Sequence, residues 1–263
     1  MKLANKILIA AGVVLMVVGI IIMSATLTTK GFYLHIGDFT DMEYEEKEYS
    51  FSGELENIDI DCSIADVEFF IDNGSNIRVE VKQSDKITFD VKFNNGTLEI
   101  DSDKKFKNNF FVGGFYTDLH IYVYLPKAEL KNVKIKGSVG SVKIPDITCD
   151  EMKIDMSTGS TKLEGARVKN ELNIDSSTGS IKLVNVIAGS MKLDVSTGSI
   201  SFEDCEAEEI DAHASTGSIK GSLKGDYIYN ANSSTGSVKV PDSSGSRKCK
   251  LKTSTGSINI SKS

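Results

Sequence analysis

A four-residue phrase, Ser-Thr-Gly-Ser, returns at a nearly constant interval through the C-terminal half of the chain. It begins at Ser157, Ser177, Ser196, Ser215, Ser234 and Ser254, with a degenerate copy, Ser-Val-Gly-Ser, at Ser138. The intervals are 19, 20, 19, 19, 19 and 20 residues. A unit this short cannot enclose a core alone, so successive units must stack on one another as a solenoid.

The phrase also serves as a ruler. Five residues before its first Ser stand Val133, Met152, Leu172, Met191, Ile210, Tyr229 and Cys249. Three before stand Ile135, Ile154, Ile174, Leu193, Ala212, Ala231 and Leu251. Four after stand Val142, Thr161, Ile181, Ile200, Ile219, Val238 and Ile258, and six after Ile144, Leu163, Leu183, Phe202, Gly221, Val240 and Ile260. Apolar or small residues hold these places and polar ones lie between, the period-two pattern of half-buried strands. Each unit therefore reads as strand, corner, strand, return, with one face inward. In-register parallel stacking at about 4.8 Å would make the seven coils a rod of roughly 30 Å.

The same alternation runs upstream through Ile58, Ile60, Cys62, Val67, Phe69, Ile71, Ile77, Val79, Val81, Ile87, Phe89, Val91, Phe93, Leu98 and Ile100, then Ile121, Val123 and Leu125. Asn73-Gly74 and Asn95-Gly96 mark tight turns. The segment from Ile58 to Phe69 obeys the coil register with Ser63 as its first Ser and Ala65 in place of Gly. It reads as an earlier, decayed coil. The fold class is thus all-β, a parallel β-helix or β-solenoid of 19–20-residue coils. Residues 51–130 form irregular N-terminal coils and residues 131–263 the regular ones.

Residues 1–29 read as a targeting element. Lys2 and Lys6 precede an uncharged apolar run from Ile7 to Met23, near the roughly 20 residues of a membrane-spanning helix. A cleaved signal peptide is the rival reading, but cleavage after Ala25 would set bulky Met23 where a small residue is wanted. The flanking lysines place the N-terminus in the cytoplasm and everything from about residue 30 outside. The expected topology is a single-pass cell-membrane protein. Residues 30–50, with Asp38, Asp41, Glu43, Glu45, Glu46 and Glu48 against Lys47 after Lys30, read as an extended, solvated acidic stalk.

The four cysteines, Cys62, Cys149, Cys205 and Cys249, show no Cys-x-x-Cys and no zinc spacing. Most share the apolar register, so they read as buried thiols, which fits a Gram-positive surface. A formal charge of −7 without a basic cluster argues against a nucleic-acid partner.

Ser-Thr-Gly-Ser invites a ligand-binding, ice-binding or glycosylated ladder. The alternative is a corner in which Gly takes positive φ and the hydroxyls satisfy turn groups or bond the next coil. One corner per coil is the frequency observed, and a lone Thr beside Gly does not supply a flat array. No repeat pairs a His with an acid in a consistent place for nucleophilic chemistry. Candidate contacts flank the phrase. Two residues before it, Asp155, Asp175, Asp194 and His213 would stack one coil apart and repel unless a cation such as calcium, or a cationic partner, sat among them. Otherwise they form a solvated face relieved by Lys153 and Lys192. Five after it, Lys143, Lys162, Lys182, Lys220 and Lys239 make a basic stripe suited to an anionic envelope polymer, or to solubility. The aromatic-glycine excursion with Phe110, Phe111, Phe115 and Tyr116 could cap the solenoid or contact a partner.

Ile-Asp-Ile-Asp-x-Ser-x-Ala-Asp-Val at 58–67, Val-Tyr-Leu-Pro-Lys at 123–127 and the Gly-Ser-Val/Ile-Lys coils from 137 onward resemble the bacterial "putative adhesin" β-strand-repeat family, with its LiaG-like membrane-anchored envelope proteins. The resemblance implies a β-helix-like fold, a surface location and a role in adhesion or envelope-stress response, with no catalytic residues. The chain is expected to be non-enzymatic and without a cofactor, meeting an envelope polymer, a host surface or another surface protein. A polysaccharide-active enzyme on a β-helix and a rod assembling end to end are the alternatives.

Overall fold

The computed structural model describes residues 43–72, 74–85, 87–102, 118–126 and 129–263. The expected anchor at 1–29, most of the stalk, Asn73 and the 106–116 excursion lie outside them. Among the described residues no helix is long and apolar enough to cross a membrane, and the elements are all strands. In chain order they are β1 (Tyr44–Phe51), β2 (Asn57–Ile64), β3 (Asp66–Asp72), β4 (Ile77–Ser84), β5 (Phe89–Asn94), β6 (Thr97–Ser102), β7 (His120–Pro126), β8 (Glu129–Val139), β9 (Val142–Ile144) and β10 (Thr148–Thr158). There follow β11 (Thr161–Glu164), β12 (Arg167–Thr178), β13 (Ile181–Val184), β14 (Ile187–Thr197), β15 (Ile200–Thr216), β16 (Ile219–Leu223), β17 (Tyr227–Thr235), β18 (Val238–Lys239), β19 (Arg247–Thr255) and β20 (Ile258–Lys262).

The repeat builds two layers. Long strands ahead of each corner pair in parallel through β8, β10, β12, β14, the second half of β15, β19 and β17. Short strands after each corner pair in parallel through β9, β11, β13, the start of β15, β16, β20 and β18. Equivalent repeat positions face one another. Ile135, Ile154, Ile174 and Leu193 form one buried column, and Val142, Thr161, Ile181, Ile200, Ile219 and Ile258 another. Each fully buried Ile or Leu in such a column contributes about 1.5–3 kcal/mol over an exposed one. The architecture is all-β and solenoid-like.

The decayed coil is present: β2 pairs in parallel with β8, setting Ile58 and Ile60 against Val133 and Ile135, while β3 pairs with β9. Its place in the stack, however, is not first. On its other side β2 pairs with β6, and β3 with β7, so a later piece of chain lies outside an earlier one. The C-terminal end mirrors this. β19 lies between β15 and β17, and β20 between β16 and β18. The last coil in sequence is thus the penultimate rung, and the stack ends on the coil of Ser234.

The two ends finish differently. At the N-terminal end the parallel stack gives way to antiparallel strands: β4 on β7, β1 on β4, and β5 on β6. The β5–β6 hairpin turns at Asn95 and Gly96, with φ of 47° and 72°, the left-handed pair expected there. Residues 44–50, expected within a solvated stalk, instead belong to β1 and hydrogen-bond to β4; their charged side chains remain mostly exposed. Backbone pairing to an open edge tolerates such side chains because they project into water. At the C-terminal end, residues 240–246 fold back over the outermost strand. Ser244 N–H donates to the Tyr227 carbonyl (2.9 Å), and Tyr229 N–H donates to Ser243 Oγ (2.9 Å). Ile260 therefore lies in a rung covered on both sides, and the open end of the stack is the coil of Ser234.

Candidate functional site

Corners come first, because they position everything else. Gly159 and Gly198 have φ of +133° and +145°, and a Cβ on either would lie 1.7 Å from the carbonyl oxygen of the corner Gly one rung back. Only Gly permits that approach. Beside them runs a serine ladder: the N–H groups of Ser199, Ser218, Ser257 and Ser237 donate to the hydroxyls of Ser180, Ser199, Ser218 and Ser257, at 3.2–3.3 Å. The phrase is therefore used as a corner, with its Thr residues forming an exposed column along the edge.

On the outer face of the short-strand layer, the five predicted lysines fall in one column. Read along the stack it runs Glu68, Lys143, Lys162, Lys182, Ser201, Lys220, Asn259, Lys239. Exchange of the last two rungs matters here: sequence order would put Lys239 beside Lys220, whereas the fold inserts Asn259 between them. The first three lysines meet carboxylates, Lys143 with Glu68 (3.1 Å), Lys162 with Glu164 (2.5 Å) and Lys182 with Glu203 (3.6 Å). Among the described residues Lys220 and Lys239 have no ion-pair partner. Around them lies an open trough of about 800 Å³, lined besides by Lys182, Glu203, Ser201, Phe202, Gly221 and Asn259. Short side chains on alternate rungs leave this hollow, with lysines about 10 Å apart along the stack. Unneutralised positive charge is thus concentrated toward the C-terminal end.

The acidic column lies on the outer face of the long-strand layer, in the register expected: Lys136, Asp155, Asp175, Asp194, His213, Lys252, Asn232. Lys153 Nζ lies 3.4 Å from Asp155, and His213 Nδ1 lies 3.3 Å from Asp194. Parallel rungs project these carboxylates side by side instead of converging them. Among the described residues no group of three or more His, Cys, Asp and Glu side chains is gathered closely enough to hold a metal ion. Lys252, delivered by the exchanged rung, bounds this run at one end, and Lys136 bounds it at the other, parting it from Asp61. Phe110, Phe111, Phe115 and Tyr116 lie outside the described residues.

All four cysteines are buried and unpaired. Burial, aided by nearby carboxylates, pushes the Cys62 and Cys149 thiols up to about 12, with Asp61 and Asp150 adjacent; Cys249 is pushed equally far by burial and Asp211. Cys205 is raised by burial as well. Such thiols are packing groups, not nucleophiles.

The repeat register does not mark the non-lysine residues of the trough. Ser201 and Asn259 are visible in sequence only as gaps in the lysine stripe, and their meaning depends on which rungs are adjacent. Nor does it mark an aromatic column at the N-terminal end, where Phe70 stacks on Tyr124 (4.9 Å between centroids) and Arg78 covers that ring at 3.6 Å. Those ring faces are occupied by one another.

Among curated proteins none matches the chain. Several solved structures are similar, three of them as follows. A "putative adhesin" from Bacteroides fragilis has 19% identity and a TM-score of 0.48, over 83% of this chain and 97% of that one. A "putative cell adhesion protein" from Clostridium sporogenes has 11% identity and a TM-score of 0.41, over 84% and 100%. A "putative lipid binding protein" from Parabacteroides distasonis has 18% identity and a TM-score of 0.43, over 83% and 96%. A family model matches residues 55–263, most of the chain and nearly all of its described strands, and the protein belongs to the Toastrack DUF4097 family.

Proposed function

We propose that this Toastrack protein is a non-enzymatic, single-pass surface protein whose parallel β-solenoid stands outside the membrane and contacts an anionic polymer of the cell envelope. The observation that carries the reading is the uneven neutralisation of the lysine column. Lysines serving only as partners of neighbouring carboxylates would be paired throughout the column, as Lys143 and Lys162 are. Lys220 and Lys239 instead have no ion-pair partner among the described residues, beside a trough whose lining includes Ser201, Asn259 and Phe202. A chain of phosphate or carboxylate groups laid along the stack would meet them in turn, with lysine stems supplying contact area. An acidic protein gains from such a focused basic track because the rest of its surface repels the same polymer.

The test is binding of a soluble polyol-phosphate polymer to the full chain, followed as ionic strength rises. Lys220→Gln with Lys239→Gln should weaken it by roughly tenfold, while Lys143→Gln, already paired with Glu68, should do little. Binding that ignores both salt and the double substitution would refute the reading. Turnover of the polymer, or of a wall glycan, would favour the polysaccharide-enzyme alternative.

A further inference from the structure

The C-terminal end of the stack differs from every other edge in the described structure. Edge strands β1 and β5, at the opposite end, carry charges along their length: Glu45, Glu46, Lys47 and Glu48 on the first, Asp90 and Lys92 on the second. Charged edges of this kind discourage pairing with another chain. From Tyr227 to Val238, by contrast, the outermost coil has no charged residue. It also exposes apolar side chains. Val238 is 43% exposed where its column mates Ile258 and Ile219 are buried, and Ile228 is 52% exposed.

The backbone of this coil is half satisfied. β17 has one ladder partner, β19, and β18 has one, β20. The returning segment covers the start of the outer edge through Ser243 and Ser244, reaching Tyr229 and Tyr227. Because Tyr229 N–H points outward, the two-residue alternation of a strand aims the backbone groups of Ala231 and Ser233 outward too. Asn230 and Asn232 lie between them, exposed on the outer face.

We propose that this edge pairs with the same edge of a second copy, β17 antiparallel to β17 about a two-fold axis through Asn232. Ala231 of one copy and Ser233 of the other then exchange hydrogen bonds, and the two Asn232 side chains face each other on the axis. An amide carries both donor and acceptor, so Asn meets Asn with its needs satisfied, as an isologous contact requires. No like charges oppose one another within the paired segment. Since the N-terminal end is closed by charged antiparallel strands, association stops at two copies and does not continue as a rod.

The pairing can be trapped. In a non-hydrogen-bonded antiparallel pair the Cα atoms lie about 4.5 Å apart, within disulfide range. Asn232→Cys in the full chain should therefore form a disulfide-linked dimer on mild oxidation, while Lys47→Cys at the opposite end should not. The four native thiols are buried and do not compete. Ile228→Lys with Asn230→Lys, both on exposed positions, should abolish the cross-link while leaving the circular dichroism spectrum unchanged. Light scattering on the unmodified chain should give a mass that rises with concentration to twice the monomer and stops. A monomer mass at every concentration, growth beyond two copies, or equal cross-linking at positions 47 and 232 would each overturn the proposal. Capture of a different protein at Asn232→Cys, with no dimer of the chain itself, would overturn it in favour of a partner's strand.

Discussion

Replacing Gly198 by Ala tests whether the repeated phrase is a corner or a binding ladder. The new Cβ would lie 1.7 Å from the Gly179 carbonyl oxygen and 3.2 Å from a Val195 methyl, at a φ of +145°. The first contact is about half an ordinary van der Waals separation, and its partner is backbone, which cannot swing away. The corner must therefore separate from the rung behind it. That separation breaks three bonds, Gly179 N–H to the Thr197 carbonyl (2.9 Å), Ile181 N–H to the Ser199 carbonyl (3.0 Å) and Ser199 N–H to Ser180 Oγ (3.3 Å). Three bonds at about 0.5–1.5 kcal/mol each, with about 1–3 kcal/mol for an L-residue held at that φ, give a loss of about 2.5–7.5 kcal/mol. Thr197→Val, on an exposed side chain one residue away, should change stability by less than about 0.5 kcal/mol. Urea denaturation followed by circular dichroism measures both. A loss below about 1 kcal/mol for Gly198→Ala, or equal losses at the two positions, would refute the argument that the stack depends on glycine at its corner.

Two further outcomes follow from buried groups. The Thr161 hydroxyl is fully buried without a hydrogen-bond partner among the described residues, in a column whose neighbours are Val142 and Ile181. Thr161→Val keeps the shape and removes the orphan, so it should raise stability by about 1 kcal/mol in the same titration, and a loss of that size would show that the hydroxyl is satisfied after all. The thiols make stability fall at alkaline pH: unfolding returns Cys62, Cys149 and Cys249 from about 12 to the ordinary value near 9. The folded state then holds more protons between those values, so their contribution is intact below pH 9 and is lost as pH rises from about 9 towards 12. Thiol-reagent labelling should likewise be slow in buffer and fast in denaturant; rapid labelling of the folded chain at pH 8 would contradict the burial.

Much of this molecule is legible as periodicity. The inward registers at five and three residues before the phrase, and four and six after it, predict columns that the fold buries, including the decayed coil around Ser63, except in the outermost coil of Ser234, where Val238 is exposed. Asp155, Asp175, Asp194 and His213 share a column because in-register stacking preserves offset, and the five lysines do so for the same reason. The register also reveals Thr161 as a polar intruder, though not that its hydroxyl would be left unpaired, since that depends on the geometry of two neighbouring rungs. Convergence is less legible still. Repeat position predicts that three carboxylates are neighbours, but only parallel projection from successive rungs keeps them side by side.

The repeat by itself determined that the chain would stack, which residues would face inward, and that glycine would mark each corner, because these are local consequences of strand alternation and turn sterics. It did not determine the order of the rungs. Every coil offers the same apolar pattern to both of its neighbours, so the coil of Ser254 fits equally well beyond the coil of Ser234 or inside it. Tertiary structure made that choice twice, placing the first and last coils of the described chain one rung in from the two ends of the parallel stack. The consequences are those that bear on function: Asn259 parts Lys220 from Lys239, Lys252 bounds the acidic run, and an uncharged strand is left as the open edge. Equivalent registers are interchangeable to the core, and only the connecting segments, such as 240–246 over β17, distinguish one order from another.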